Sequence, residues 1–146
     1  MEPLDLTQRP PRAPREKALG LVFLPRTIDK VRATLPGGNL GPYLVEGRQS
    51  LSSYLLYKLG VPIPEFRDAV ARAKDESELL AWLETRIDKA AIRGINEKIE
   101  AMRYSTLAPE GKAAFEANHP GFIPDAATDA LLDALAHDDR AAFAAS

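Results

Sequence analysis

Apolar residues recur along much of this chain at helical spacing. Leu24, Ile28, Val31 and Leu35 fall at i, i+4, i+7 and i+11, one face of a helix running from about Pro25 to Leu35. Pro25 can open that helix or kink a longer one, and the pattern leaves both readings standing. Pro14 is a suitable first residue for a short helix reaching about Gly20. Downstream, Leu51, Tyr54, Leu55 and Leu59 mark a helix over about 49–59 that Gly60 stops, and Phe66 and Val70 mark another over about 64–74. Asp75 and Glu78 have capping-box spacing ahead of a stripe made by Leu79, Leu80, Trp82, Leu83 and Ile87. Asp88 is placed to cap a following helix over about 89–104, with Ile92, Ile95, Ile99 and Met102 on its apolar face. Pro109 opens a helix ending near Asn118, and Asp125 is read as the cap of a last helical region carrying Leu131, Leu132, Leu135 and Phe143.

Between these stripes lie breakers. Pro36-Gly37-Gly38-Asn39-Leu40-Gly41-Pro42 reads as a stop and a turn, and Tyr43-Leu44-Val45 as a short extended piece that makes no sheet. Pro10, Pro11 and Pro14 hold the first residues extended. The prediction is an all-α fold: an extended Pro/Arg-rich N-terminal arm over residues 1–14, then one compact irregular domain of six to eight helices over 15–146.

Composition narrows the chemistry more than it identifies it. The chain has 146 residues and no cysteine, which excludes disulfides, thiol nucleophiles and cysteine metal sites. The net charge is −2, against the strong basicity of most nucleic-acid binders. Charge is uneven, with nine basic and five acidic residues over 1–60, and ten basic and sixteen acidic over 61–146. The N-terminus has acidic residues where a signal peptide would be basic, and no apolar run is long enough for a membrane span, so a soluble cytoplasmic protein is expected.

Two clusters invite a functional reading. Arg9, Arg12 and Arg15 decorate the arm and could meet a protein partner or phosphates; the plainer reading lays them over their own domain or a twin subunit, bonded to carbonyls and carboxylates. Arg26 and Lys30 project together from one helix with Asp29 beside them, and Tyr43 and Arg48 follow. Cations beside a helix start suit an anion, while the plainer reading is a solvated or intersubunit ion-pair face opposite the apolar stripe. The glycine loop at 37–41 lacks the order of a phosphate cradle. His119 lies in an Asn-His-Pro-Gly turn and is expected exposed; His137 is read as a cation at a helix end, the alternative being a metal patch with Asp138 and Asp139. No cofactor or metal is expected.

The string Leu24-Pro25-Arg26, Ile28-Asp29-Lys30, Arg32-Ala33, preceded by Arg9-Pro10-Pro11-Arg12, Pro14-Arg15 and Gly20-Leu21-Val22 and followed by Gly41 and Tyr43, resembles an uncharacterised bacterial family catalogued as domain of unknown function 5069. At Phe23 and over Glu46–Ser50 the chain departs from the pattern associated with that family. The resemblance therefore implies a related fold and no catalytic group.

On these grounds the chain is read first as a non-enzymatic ligand- or protein-binding module, one that an arm-clasped homodimer would suit. The alternative is a small-molecule enzyme or anion-binding protein with its site at Arg26, Asp29, Lys30, Tyr43 and Arg48. Nucleic-acid binding through Arg9, Arg12 and Arg15 is the least favoured of the three.

Overall fold

In the computed structural model, which describes residues 1–144, helix α1 (Leu24–Ala33) occupies the centre of the molecule. Pro25 sits at its start, so the helix begins there and is not a kinked continuation. Its cap, Phe23, adopts a left-handed φ of 72°, a costly conformation for an aromatic residue. Against α1 pack α2 (Leu51–Leu59) and α3 (Ile63–Arg72); α4 (Glu76–Glu84) packs on α3 and α5 (Ile92–Ala101) on α2, followed by α6 (Pro109–Asn118) and α7 (Leu131–Phe143). The result is a mainly helical compact domain. Leu24, Ile28, Leu55, Leu56, Phe66, Leu79, Leu83 and Ile99 form the heart of the core, each fully enclosed. Burying one such side chain contributes about 1.5–3 kcal/mol.

Local signals set several of the boundaries. The Ser50 hydroxyl accepts from Ser53 N at 3.2 Å and opens α2, which ends at Gly60 with φ 71°, a left-handed turn that suits glycine. Asp75 accepts from Glu78 N at 2.9 Å at the head of α4. Asp88 accepts from Ala90 N at 3.0 Å and caps a 3₁₀ turn (Lys89–Ala91) that leads into α5.

Three sequence expectations are corrected. In place of a helix over 14–20 there is a two-stranded hairpin, β1 (Lys17–Ala18) paired antiparallel with β2 (Leu21–Val22), turned by Leu19 at φ 52° and Gly20 at φ 77°. Two successive positive φ values make a turn whose twist matches a hairpin and is incompatible with a helix. Asn96 of α5 locks it, donating to Gly20 O at 2.7 Å and accepting from Val22 N at 2.9 Å. Asp125 does not cap the last helix; it accepts from Ala127 N and Thr128 N and closes a turn, and α7 begins only at Leu131. On α4, Leu79 and Leu83 are enclosed, whereas Leu80, Trp82 and Ile87 are only half-buried against the core.

The first sixteen residues contain no helix and run over the body. Leu6 N donates to Asn39 O at 2.8 Å and Asn39 N to Leu4 O at 2.9 Å, a short parallel bridge. Pro11 and Pro14 are buried. No helix among the described residues is long and apolar enough to cross a membrane.

Candidate functional site

Helix α1 is not the amphipathic surface helix its pattern predicts. Every residue in it except Arg32 is buried, and Arg26, Asp29 and Lys30 are 2%, 4% and 5% exposed. The expected solvated ion-pair face is therefore corrected: these charges are internal. A charge in such a place must be paired or must give up its proton balance.

Two of the three are paired. The Arg26 guanidinium grips Asp139 of α7 with two contacts, Nη1 to Oδ2 at 2.6 Å and Nη2 to Oδ1 at 3.2 Å. Tyr43 donates its hydroxyl to the same Asp139 at 3.0 Å. Burial and the Asp139 charge hold the Tyr43 hydroxyl well above the usual tyrosine range. Arg26 Nε is buried with no hydrogen-bond partner. Asp29 faces the other way. It accepts from the Arg12 backbone N–H at 2.8 Å and from the Arg12 guanidinium at 3.1 Å, and Arg12 also bonds Glu76. Those bonds, Glu76 foremost, keep Arg12 firmly charged.

Lys30 is the exception. Among the described residues it forms no hydrogen bond and no ion pair; its Nζ lies 5.1 Å from the centroid of the Phe23 ring. Burial, and then the neighbouring Arg26 charge, pushes its amine well below the ordinary lysine range, and the Asp139 charge only partly opposes this. The left-handed Phe23 is what brings that ring to the start of α1, so the backbone outlier lies at the same place as the unpaired amine.

Lys30 opens into a cavity of about 570 Å³, within the range of small-molecule sites. One wall comes from α1 and the 42–54 region, with Phe23, Tyr43, Leu51 and Tyr54. The facing wall comes from the C-terminal part, with Met102, Phe115, Leu131 and Leu135. The lining is predominantly apolar. Its polar groups include Arg26, Lys30 and Tyr43, then Arg48, Gln49 and Ser50, the pair His119–Asp138, and Thr7 and Asn118. His119 Nδ1 and Asp138 Oδ2 are 3.0 Å apart. His119 is thus half-buried and bonded to α7, which corrects the expected free turn residue. The carboxylate partner of a histidine is Asp138, but the histidine is His119 and not His137, which is exposed.

A family model described as Domain of unknown function (DUF5069) matches residues 8–141. The chain belongs to that family. The match spans the hairpin, α1, most of the cavity lining and the Asp138–Asp139 pair on α7. No curated protein matches the chain. DUF5069 membership assigns no chemistry, and the site must be read from its own geometry.

Of the residues singled out from sequence, Arg26, Lys30, Tyr43 and Arg48 line one cavity and Asp29 does not. Arg48 is exposed. On the arm, Arg12 is bonded to Asp29 and Glu76, Arg15 is bonded to Asp133, and Arg9 is exposed. Sequence reasoning names Asp138 and Asp139 only as a metal patch with His137 and expects His119 in an exposed turn, so it misses the bonds of these carboxylates to His119, Arg26 and Tyr43, and it misses the apolar wall of Phe115, Leu131 and Leu135. A signal for Asp139 exists: it falls at i+7 from Leu132 and i+4 from Leu135, on the apolar stripe of its helix. A carboxylate on such a stripe needs an internal cation.

Proposed function

We propose that this chain is a binding protein for a small, mostly apolar molecule carrying one hydrogen-bond-accepting head, with the head at Lys30. The observation that carries the reading is a buried lysine that has no hydrogen-bond or ion-pair partner among the described residues and lines an apolar cavity of about 570 Å³. An amine placed there lacks hydrogen bonds that an acceptor would supply, and the protein stabilises such a guest by relieving that deficit. The apolar body lies between Tyr54 and Leu51 on one side and Leu131 and Phe115 on the other. Arg26 adds little direct affinity, because Asp139 already neutralises it. This favours one donor and an apolar slot over a cluster of cations for a highly charged ligand.

The test is a thermal-shift and calorimetric screen of medium-chain and phenylalkyl acids, amides and ketones, on wild type beside Lys30→Met. A ligand at one hundred times its dissociation constant stabilises by about 2.7 kcal/mol. Wild type is expected to respond to acceptor-headed compounds and not to the matching hydrocarbons, and the variant to lose most of the response. No response in wild type, or an equal response in the variant, overturns the reading.

A further inference from the structure

The state of Lys30 before a ligand arrives decides what it can do with one. Its side chain is enclosed, it has no acceptor among the described residues, and its immediate neighbours are the Arg26 guanidinium and the Phe23 ring. An ammonium ion in that position keeps only the water of the cavity and feels the like charge of Arg26, so the site favours the neutral amine. A desolvated lysine beside another cation is one of the recognised ways of making a nucleophile of an amine. An ordinary structural lysine would have reached solvent or a carboxylate. Asp139 and Asp138 lie on the adjoining helix, yet the first is occupied by Arg26 and Tyr43 and the second by His119.

We infer that Lys30 is a covalent capture residue, condensing with the carbonyl of a small apolar aldehyde or ketone in the cavity to form an imine. The inference rests on the cavity being the binding site proposed above. The amine lone pair adds to the carbonyl carbon as the carbonyl π pair moves to oxygen. Both hydrogens of the amine and the carbonyl oxygen then leave together as one water, so R₂C=O and H₂N–Lys30 give R₂C=N–Lys30 and H₂O with no oxidant or reductant. The apolar walls favour an apolar substituent on that carbonyl. A carboxylate attached directly to the carbonyl is disfavoured, because the one cation beside Lys30 is already bonded to Asp139 and the two α7 carboxylates would repel it.

The chain has seven lysines, which provides an internal control. Lys17, Lys58, Lys74, Lys89, Lys98 and Lys112 all lie outside the cavity lining. The experiment incubates the intact protein with 4-phenyl-2-butanone or hexanal and sodium cyanoborohydride, then maps the reduced adduct by peptide mass spectrometry from pH 6 to 10. At pH 6.5 the adduct is expected on Lys30 at least tenfold over any other lysine, with that preference eroding toward pH 10 as the exposed amines lose their protons. The groups facing Lys30 through this range are Arg26 and Asp139, with Tyr43, Arg48, His119 and Asp138 on the same cavity. The unreactive analogue 4-phenylbutyramide is run by calorimetry alongside. Amide binding with no Lys30 adduct, or with adduct spread evenly over the lysines, overturns covalent capture and leaves the binding site standing. No binding of the amide and no adduct overturns both. Lys30→Met, which keeps the length of the side chain but has no condensing amine and no charge to bury, is expected to remain folded and to lose the adduct.

Discussion

The two sides of α1 treat buried charge in opposite ways. Toward the N-terminal segment, Asp29 receives the Arg12 backbone N–H and its guanidinium, and Arg12 extends on to Glu76. Toward the cavity, Arg26 is closed off by Asp139, while Lys30 meets only the Phe23 ring and has no hydrogen bond or ion pair among the described residues. Three charges within five residues of one helix thus divide into two that hold the fold together and one that does not. Pairing on one side shows that this chain can neutralise an internal charge when only stability is at stake. An amine left unpaired beside a cavity is a cost the rest of the fold must cover, and such costs collect at functional sites.

The comparison is broken most severely at the paired side. Asp139→Ala leaves the Arg26 guanidinium buried without its carboxylate and also releases the Tyr43 hydroxyl. The expected loss is about 3–5 kcal/mol, read from urea denaturation midpoints. Replacing both partners, Arg26→Met with Asp139→Leu, is expected to lie closer to wild type than either single change, because no charge is then stranded. If Asp139→Ala costs less than about 1 kcal/mol, the pair is not a structural element and the contrast with Lys30 disappears.

The distinction between the two sides explains what the sequence could and could not show. Caps are local, so Ser50, Asp75 and Asp88 announce α2, α4 and the turn before α5 within a few residues of the bonds they make. The stripe Leu24, Ile28, Val31 and Leu35 likewise identifies the core face of α1. Its other face reads as solvated because Arg26, Asp29 and Lys30 are charged. What buries them is remote: Asp139 is 113 residues away from Arg26, and Arg12 is 17 from Asp29. The hairpin at 17–22 was hidden for a different reason. Its turn puts Leu19, not a glycine or asparagine, at positive φ, and no propensity flags leucine there. For the site, Tyr43 and Lys30 share a neighbourhood that short-range reasoning could nominate, but Phe115 and Leu131 enter only through the tertiary packing of the C-terminal part.

A smaller effect, opposite in sign, is expected at the unpaired side. Lys30→Met in the ligand-free protein removes an amine that burial holds largely away from water and keeps the shape of the chain, so it should stabilise by about 1 kcal/mol near neutral pH. The gain depends on pH in a defined direction. The Lys30 amine is depressed in the fold from its ordinary 10.5, so between the folded value and 10.5 the unfolded chain binds more protons. Wild-type stability must therefore rise with pH across that window, and the variant lacks this contribution. Denaturation midpoints at pH 7 and pH 10 should show the advantage of Lys30→Met shrinking as pH rises. An advantage that grows with pH, or a variant less stable than wild type at pH 7, means that Lys30 is paired after all.

The smallest effect sharpens the comparison by holding the type of pair fixed. Arg15 and Asp133 also make a two-contact pair, through Nε at 2.8 Å and Nη2 at 3.0 Å where Arg26 uses its two Nη atoms, and it joins the N-terminal segment to α7. Here the side chains are 49% and 43% exposed, against 2% and 10%. Water screens the exposed pair and readily accepts either partner once the other is gone, so Arg15→Ala is expected to cost no more than about 0.5–1 kcal/mol and to cost less as salt is raised. The bond to Arg15 holds the Asp133 carboxyl below its usual range, so what the pair contributes is present above the unfolded value of 3.8 and is lost as pH falls through the folded one. Buried Arg26 should show neither the salt sensitivity nor the small cost. If Arg15→Ala and Arg26→Ala cost alike, contact geometry and not burial sets the strength of these pairs, and the solitude of Lys30 loses its meaning.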